Sequence, residues 1–166
     1  MKISQLLKDE LIEPNLILSE KNAVLEYLVK LASSSIKEKS TIEPDVVLQA
    51  LKDREAMMST GIGNGVAIPH AKVEGLNSLI LIFAKSNNGI DFQALDEAPV
   101  HIIFLVIAPR ADDIASGDVH PSSANDYLKL LAAISLLLKK KKNRTALLEA
   151  NTKAEIMAAI KTVEQL

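Results

Sequence analysis

The chain has no cysteine and no tryptophan, and its aromatic residues are three Phe and two Tyr among 166 positions. Disulfides, thiolate nucleophiles and cysteine metal sites are therefore excluded, and the core must be aliphatic. So few aromatic faces leave little on which bases or sugar rings can stack. Neither sign of charge dominates: 19 Lys and Arg stand against 21 Asp and Glu, a formal net charge of −2. That balance disfavours nucleic acid as the main partner, because such a protein must neutralise many phosphates. Long apolar runs are missing too. The longest, Leu79 to Ala84 and Ile102 to Ala108, are far shorter than the roughly 20 residues that span a bilayer. The polar start Met1-Lys2-Ile3-Ser4-Gln5 is no secretory signal. A cytoplasmic protein with no direct membrane insertion is expected. What is present suffices for a core: 48% of the residues are hydrophobic and 24% charged, the balance of one compact domain.

Behind Ser19, the apolar positions Ala23, Val24, Leu25, Tyr27, Leu28, Leu31 and Ala32 recur at three and four residues. They predict a helix capped by Ser19 and ended by Ser33 to Ser35. A second helix starts near Pro44, places Val47, Leu48 and Leu51 on one face, continues through Arg54 and Glu55 toward Met58, and stops before Gly61. Leu79 to Ala84 and Val100 to Ile107 are unbroken branched runs, the pattern of strands covered on both faces. Helical period returns from Asp126 through Leu128, Leu131, Ile134 and Leu138, then around Ala146 to Ala150, and last from Ala154 to Val163. No repeat or linker divides the chain. The order predicts one layered α/β domain over 1–166.

The most informative segment is Ser59-Thr60-Gly61-Ile62-Gly63-Asn64-Gly65-Val66-Ala67-Ile68-Pro69-His70. Alternating Gly61, Gly63 and Gly65 permit positive φ and leave backbone N–H groups uncovered, which suits a small concavity for phosphate oxygens. Nucleotide signatures do not fit. The spacing is G-x-G-x-G after a helix, where a dinucleotide fold needs G-x-G-x-x-G between strand and helix, and no Walker lysine with Ser/Thr follows. His70 is the candidate nucleophile, because a neutral imidazole near pH 7 can accept a phosphoryl group. Arg54, just upstream, can supply a guanidinium with two-pronged contacts to phosphate oxygens. On residue types alone, the opposite reading stays open: a plain glycine connection with an incidental surface histidine.

Arg54-Glu55 followed by Ser59 to His70 resembles the signature of the enzyme IIA domains of the bacterial phosphotransferase system, in the fructose, mannitol and nitrogen-regulatory class. The likeness continues through Gly89-Ile90-Asp91-Phe92, Asp96, Pro99-Val100 entering a strand that ends at Pro109, and Leu128 to Ser135. It covers nearly the whole chain. The resemblance implies a central mixed β-sheet flanked by α-helices on both faces, and a histidine phosphorylated on Nε2 by the phosphocarrier protein HPr. It further implies either onward transfer to an enzyme IIB or regulatory use of the phosphorylation state, with no metal or organic cofactor. That histidine falls on His70 and the family's active-site arginine on Arg54. The loop threonine falls on Thr60, whose hydroxyl would donate to phosphoryl oxygens beside Gly61, Gly63 and Gly65. An unfused chain with the N-terminal segment Ile3-Ser4-Gln5-Leu6-Leu7 points to the nitrogen-regulatory branch. The alternatives are a sugar-transport component and a regulatory binding module without onward transfer. Many members carry a second active-site histidine where this chain has Tyr127. Either the Tyr127 hydroxyl donates one hydrogen bond, the preferred reading, or His120 folds back to replace the imidazole.

Other features have plainer readings. Asp112, Asp113, Asp118 and His120 read as a solvated acidic stretch more readily than as a hard-cation site. His101, inside an apolar strand, is assigned no chemistry. Lys139 to Lys142 read as a solvated helix end at the negative pole of the helix dipole, with docking of an acidic partner as the alternative. Met57 and Met58 suit either a pliable partner surface or core packing. A nucleotide-sensing domain built on the glycines is the remaining, weaker class.

Overall fold

The computed structural model describes residues 1–110 and 123–165. In chain order the elements are α1 (Ile3–Leu6), β1 (Ile12–Glu13), α2 (Lys21–Leu31), α3 (Ser33–Lys39), α4 (Pro44–Met57), β2 (Gly61–Gly63), β3 (Val66–Ala67) and β4 (His70–Val73). They continue with β5 (Ile80–Ile90), β6 (Val100–Pro109), α5 (Ser123–Lys139), α6 (Lys141–Glu149) and α7 (Lys153–Glu164). The two branched runs of the sequence become β5 and β6. They pair antiparallel, with Ile82 opposite Leu105 and Phe83 opposite Phe104, whose rings meet edge to face at 5.0 Å. Successive residues of both strands are buried, so helices must cover both faces of the sheet.

The sheet is mixed and six-stranded, in the order β1-β5-β6-β3-β2, with β4 also on β6. β3 runs parallel to Ile102 and Ile103, and β4 runs parallel to Val106 through Pro109 along the same strand. They are one line of strand broken at Pro69, which has no N–H for the ladder, although its carbonyl still accepts from Val106 N at 2.9 Å. His70 is the first residue after that break. Among the helices, α2, α3 and α4 pack together, and α1, α5, α6 and α7 form a second group. The mixed sheet between helical layers agrees with the expectation.

Several boundaries differ from the sequence reading. Glu20, not Ser19, caps α2, its carboxylate accepting from Asn22 N. The serines do not end helical structure: after a turn at Ala32 the chain enters α3 at Ser33, anchored by fully buried Ile36. β5 runs past Ala84 because Lys85 is buried with its ammonium on the carbonyls of Leu148 and Ala150 and on Asn151 Oδ1. A lysine reads as a strand end in sequence, but three acceptors make its burial affordable here. The lysine run is split, with Lys139 closing α5 and Lys141 and Lys142 opening α6, so only Lys139 meets a negative helix end. Met57 and Met58 are 82% and 63% exposed, which removes them from the core.

Candidate functional site

α4 packs on β4, which brings the last turn of the helix beside the first residue of the strand. A cleft of about 410 Å³ opens there, lined by Asp53, Arg54 and Met57 of α4, His70 and Lys72 of β4, Arg110 after β6, and Tyr127 of α5. His70 is half-buried, and its Nδ1 lies 2.8 Å from the carbonyl oxygen of Ile68. A carbonyl can only accept, so Nδ1 carries the hydrogen and the neutral ring keeps its lone pair on Nε2. The break at Pro69 thus sets the tautomer as well as the position.

Around this ring the charge is mostly positive. Arg54 donates from Nη1 to the carbonyl of Met58 at 2.9 Å, which holds the guanidinium at the end of α4 and leaves further N–H donors for a ligand. Lys72 points its ammonium at the face of Tyr127, 4.9 Å from the ring centroid. Tyr127 in turn sits 6.3 Å from the His70 ring, tilted by 54°. Burial pushes the Tyr127 hydroxyl above its usual pKa and the Arg54 charge partly opposes this, so a neutral phenol borders the cleft near pH 7. Arg54, Lys72 and Arg110 against the single carboxylate of Asp53 make a cleft suited to a doubly charged anion.

The structure brings His70, Arg54 and Tyr127 together and places Thr60 and the glycines elsewhere. Thr60 is buried, and both its N–H and its Oγ1 donate to the Glu55 carboxylate, at 2.9 and 2.6 Å. Its hydroxyl hydrogen is committed, so Thr60 braces α4 and does not reach a phosphoryl group. The phosphate-loop reading of Gly61, Gly63 and Gly65 needs a similar correction. They form the β2–β3 hairpin, whose turn residues Asn64 and Gly65 have φ of 56° and 75°, the paired positive values of a tight hairpin. Gly61 lies so close to Ala94 that an added Cβ would stand 2.8 Å from its Cα. Local N–H donors are taken within the protein: Gly61 N by Ser59 Oγ and Asn64 N by Asp96 Oδ2. None of the three lines the cleft. Val66 and His70 pair with Ile102 and Val106, so hairpin and imidazole are about 13 Å apart along the strand line.

His120, with Asp112, Asp113 and Asp118, lies outside the described residues. The His101 side chain places Nδ1 2.8 Å from the carbonyl oxygen of Ser86. Among the described residues no group of three His, Asp or Glu side chains is arranged to hold a metal ion, and no helix is long and apolar enough to cross a membrane. Three charged cleft residues escaped the sequence reading: Asp53, which adjoins Arg54 in α4, Lys72 and Arg110. Lys72 had a signal, because residues two apart in a strand share a face and His70 opens β4. Arg110 had none: it arrives through the parallel register that sets Val73 opposite Pro109.

The model of the EIIA 2 family of the phosphoenolpyruvate-dependent sugar phosphotransferase system matches residues 5–163, and the chain belongs to this family. It is 32% identical over 143 residues to the fructose-specific EIIA component of Haloferax volcanii, covering 86% of this chain and 84% of that protein. It is 33% identical over 139 residues to the nitrogen regulatory protein of Bradyrhizobium diazoefficiens, covering 84% and 81%. Against the fructose-specific EIIABC component of Bacillus subtilis, identity is 31% over 160 residues, 96% of this chain but 23% of that protein's length. The fold is shared with nitrogen regulatory protein IIA-Ntr of Neisseria meningitidis, at a TM-score of 0.81 and 24% identity over 95% of this chain and 98% of that one. It is also shared with enzyme IIA mannitol of Escherichia coli, solved in complex with phosphorylated enzyme IIB, at a TM-score of 0.69 and 13% identity over 94% and 97%.

Proposed function

We propose that this phosphotransferase-system EIIA chain, acting as one unit over 1–166 in the cytoplasm, accepts a phosphoryl group on Nε2 of His70 from a phosphorylated HPr-type carrier. The observation that carries this reading is the tie from His70 Nδ1 to the carbonyl of Ile68, which leaves Nε2 nucleophilic inside a cleft of three cations. The Nε2 lone pair attacks phosphorus; the new N–P bond forms as the donor's N–P bond breaks, and the donor imidazole leaves with the electron pair. Arg54, Lys72 and Arg110 offset the charge on the equatorial oxygens, and Asp53 limits the excess of positive charge. Because the donor is already activated, no cofactor chemistry is needed for this exchange. The Tyr127 hydroxyl, neutral and at the rim, supplies one hydrogen bond to the phosphoryl group.

The phosphoryl group then passes to an enzyme IIB or acts as a charge that changes the protein's affinity for regulated partners. The nitrogen-regulatory role is preferred. Relatives named for nitrogen regulation and for fructose both align over most of the chain, so partner transfer, not likeness, separates the roles. The test is incubation with phosphoenolpyruvate, enzyme I and HPr, followed by mass spectrometry under alkaline conditions that preserve phosphohistidine. One added phosphoryl group on His70 is expected, and none in a His70→Ala variant. Labelling that persists in the variant would overturn the assignment. Rapid delivery of label to a fructose-type IIB would move the chain to the sugar-transport role.

A further inference from the structure

The lysine run has no part in the cleft chemistry, and its setting is unusual. Lys139, Lys140, Lys141 and Lys142 are all exposed, and none forms an ion pair with an acid among the described residues. Lys141 and Lys142 occupy the first turn of α6, which has no acidic residue and no side-chain cap. Cations there oppose the positive end of the helix dipole, and four adjacent like charges repel one another. At the start of α6, local stability therefore gains nothing from this concentration of charge. Beside it the surface is mostly apolar, its one carboxylate, Glu164, accepting from the N–H and hydroxyl of Ser4. Leu136 is 67% exposed and Met1 48%, and both line an open groove of about 340 Å³ that has Lys140 at its edge.

We propose that this corner between α5 and α6 is a peripheral docking surface for an anionic lipid bilayer. Large aliphatic side chains bordered by lysines match the boundary between acyl chains and headgroups, where apolar burial and attraction to anionic lipid add together. The choice of lysine supports lipid over an acidic protein. Lysine is a compact, well-hydrated charge on a flexible stem, suited to a smeared surface charge, and it is depleted at protein interfaces, where arginine is enriched. The placement leaves phosphoryl transfer unobstructed. Tyr127 and Lys139 lie near opposite ends of α5, about 18 Å apart at 1.5 Å per residue, so a docked corner leaves the His70 cleft open to a protein partner.

Flotation with phosphatidylcholine vesicles, and with vesicles in which roughly a third of the lipid is phosphatidylglycerol, tests this. The protein is expected to float with the anionic vesicles at low salt, to be released at high salt, and to ignore phosphatidylcholine. A Lys141→Gln, Lys142→Gln double variant is expected to partition about thirty-fold less. Its melting temperature should be equal or higher, since the conflict with the α6 dipole is relieved, which separates lost docking from lost folding. A Leu136→Ser variant should also bind less at low salt. Failure to float with anionic vesicles, equal flotation with phosphatidylcholine, or undiminished binding by the double variant would each overturn the proposal. So would a parent protein that ignores vesicles but binds polyglutamate through the same lysines, since its partner would then be an acidic protein. None of these outcomes depends on whether His70 is labelled.

Discussion

The strand line formed by β3 and β4 has two ends of opposite character. At the hairpin end, three glycines turn the chain tightly, and the N–H groups of Gly61 and Asn64 are taken by Ser59 and Asp96. At the other end, one histidine emerges after Pro69 into a cleft that Arg54, Lys72 and Arg110 also line, its Nδ1 tied to the carbonyl of Ile68. The end that stands out in sequence is closed and structural; the end to which we assign the chemistry is marked by a single residue. Glycine signals a demand on backbone geometry, and that demand can come from a neighbouring backbone as readily as from a ligand.

Substitutions at the two ends should therefore fail in different ways. His70→Ala has the largest expected effect: phosphorylation from HPr is abolished while the melting temperature barely moves, as intact-mass spectrometry and thermal unfolding would show. Arg54→Ala is expected to slow phosphoryl transfer about 100-fold with little change in stability, measured as the rate of labelling at fixed donor concentration. Lys72→Ala and Arg110→Ala follow in the same direction and more weakly. At the hairpin the pattern reverses. Gly61→Ala forces a Cβ to 2.8 Å from Ala94, so it should cost about 1–3 kcal/mol and several degrees of melting temperature, with a normal labelling rate per folded molecule. A labelling defect in Gly61→Ala below its melting transition would return the hairpin to the phosphate site. Thr60→Val removes one buried hydrogen bond to Glu55 and is expected to cost about 1–2 kcal/mol, again without a rate effect.

The smallest effect on stability belongs to Tyr127 and appears at alkaline pH. Burial raises the pKa of this hydroxyl above 10.0 in the folded protein. The unfolded chain then releases its proton first as pH climbs past that value, and stability from this group declines above about pH 10. Tyr127→Phe should remove this part of the alkaline decline while changing stability near pH 7 by less than about 1 kcal/mol. Chemical denaturation at neutral and alkaline pH measures the difference.

The readable parts of the fold were those dominated by one short-range signal. Branched runs gave β5 and β6 because a doubly covered strand needs nearly every residue apolar. Periodicity located α2, α4, α5 and α7. Elements held by particular long-range partners were missed or shortened: α3 behind its serines, and β5 beyond Ala84, where Lys85 is satisfied by groups more than sixty residues away. The site divides in the same way. The motif pointed to His70 and Arg54, which the α4–β4 contact joins, but gave Thr60 and the glycines a role that their hydrogen bonds assign to packing. Arg110 could not be found from any local pattern.

Composition and pattern determined an aliphatic α/β chain without thiol chemistry and a candidate imidazole, and resemblance to a known motif supplied the family. Only the tertiary structure decided that the carbonyl of Ile68 holds Nδ1 of that ring, which cations line its cleft, and that the glycines turn a hairpin elsewhere. The reason is one of range. Propensity and periodicity act over a few residues, whereas a tautomer and a cluster of like charges depend on groups that meet only when the sheet register and the helix packing are complete.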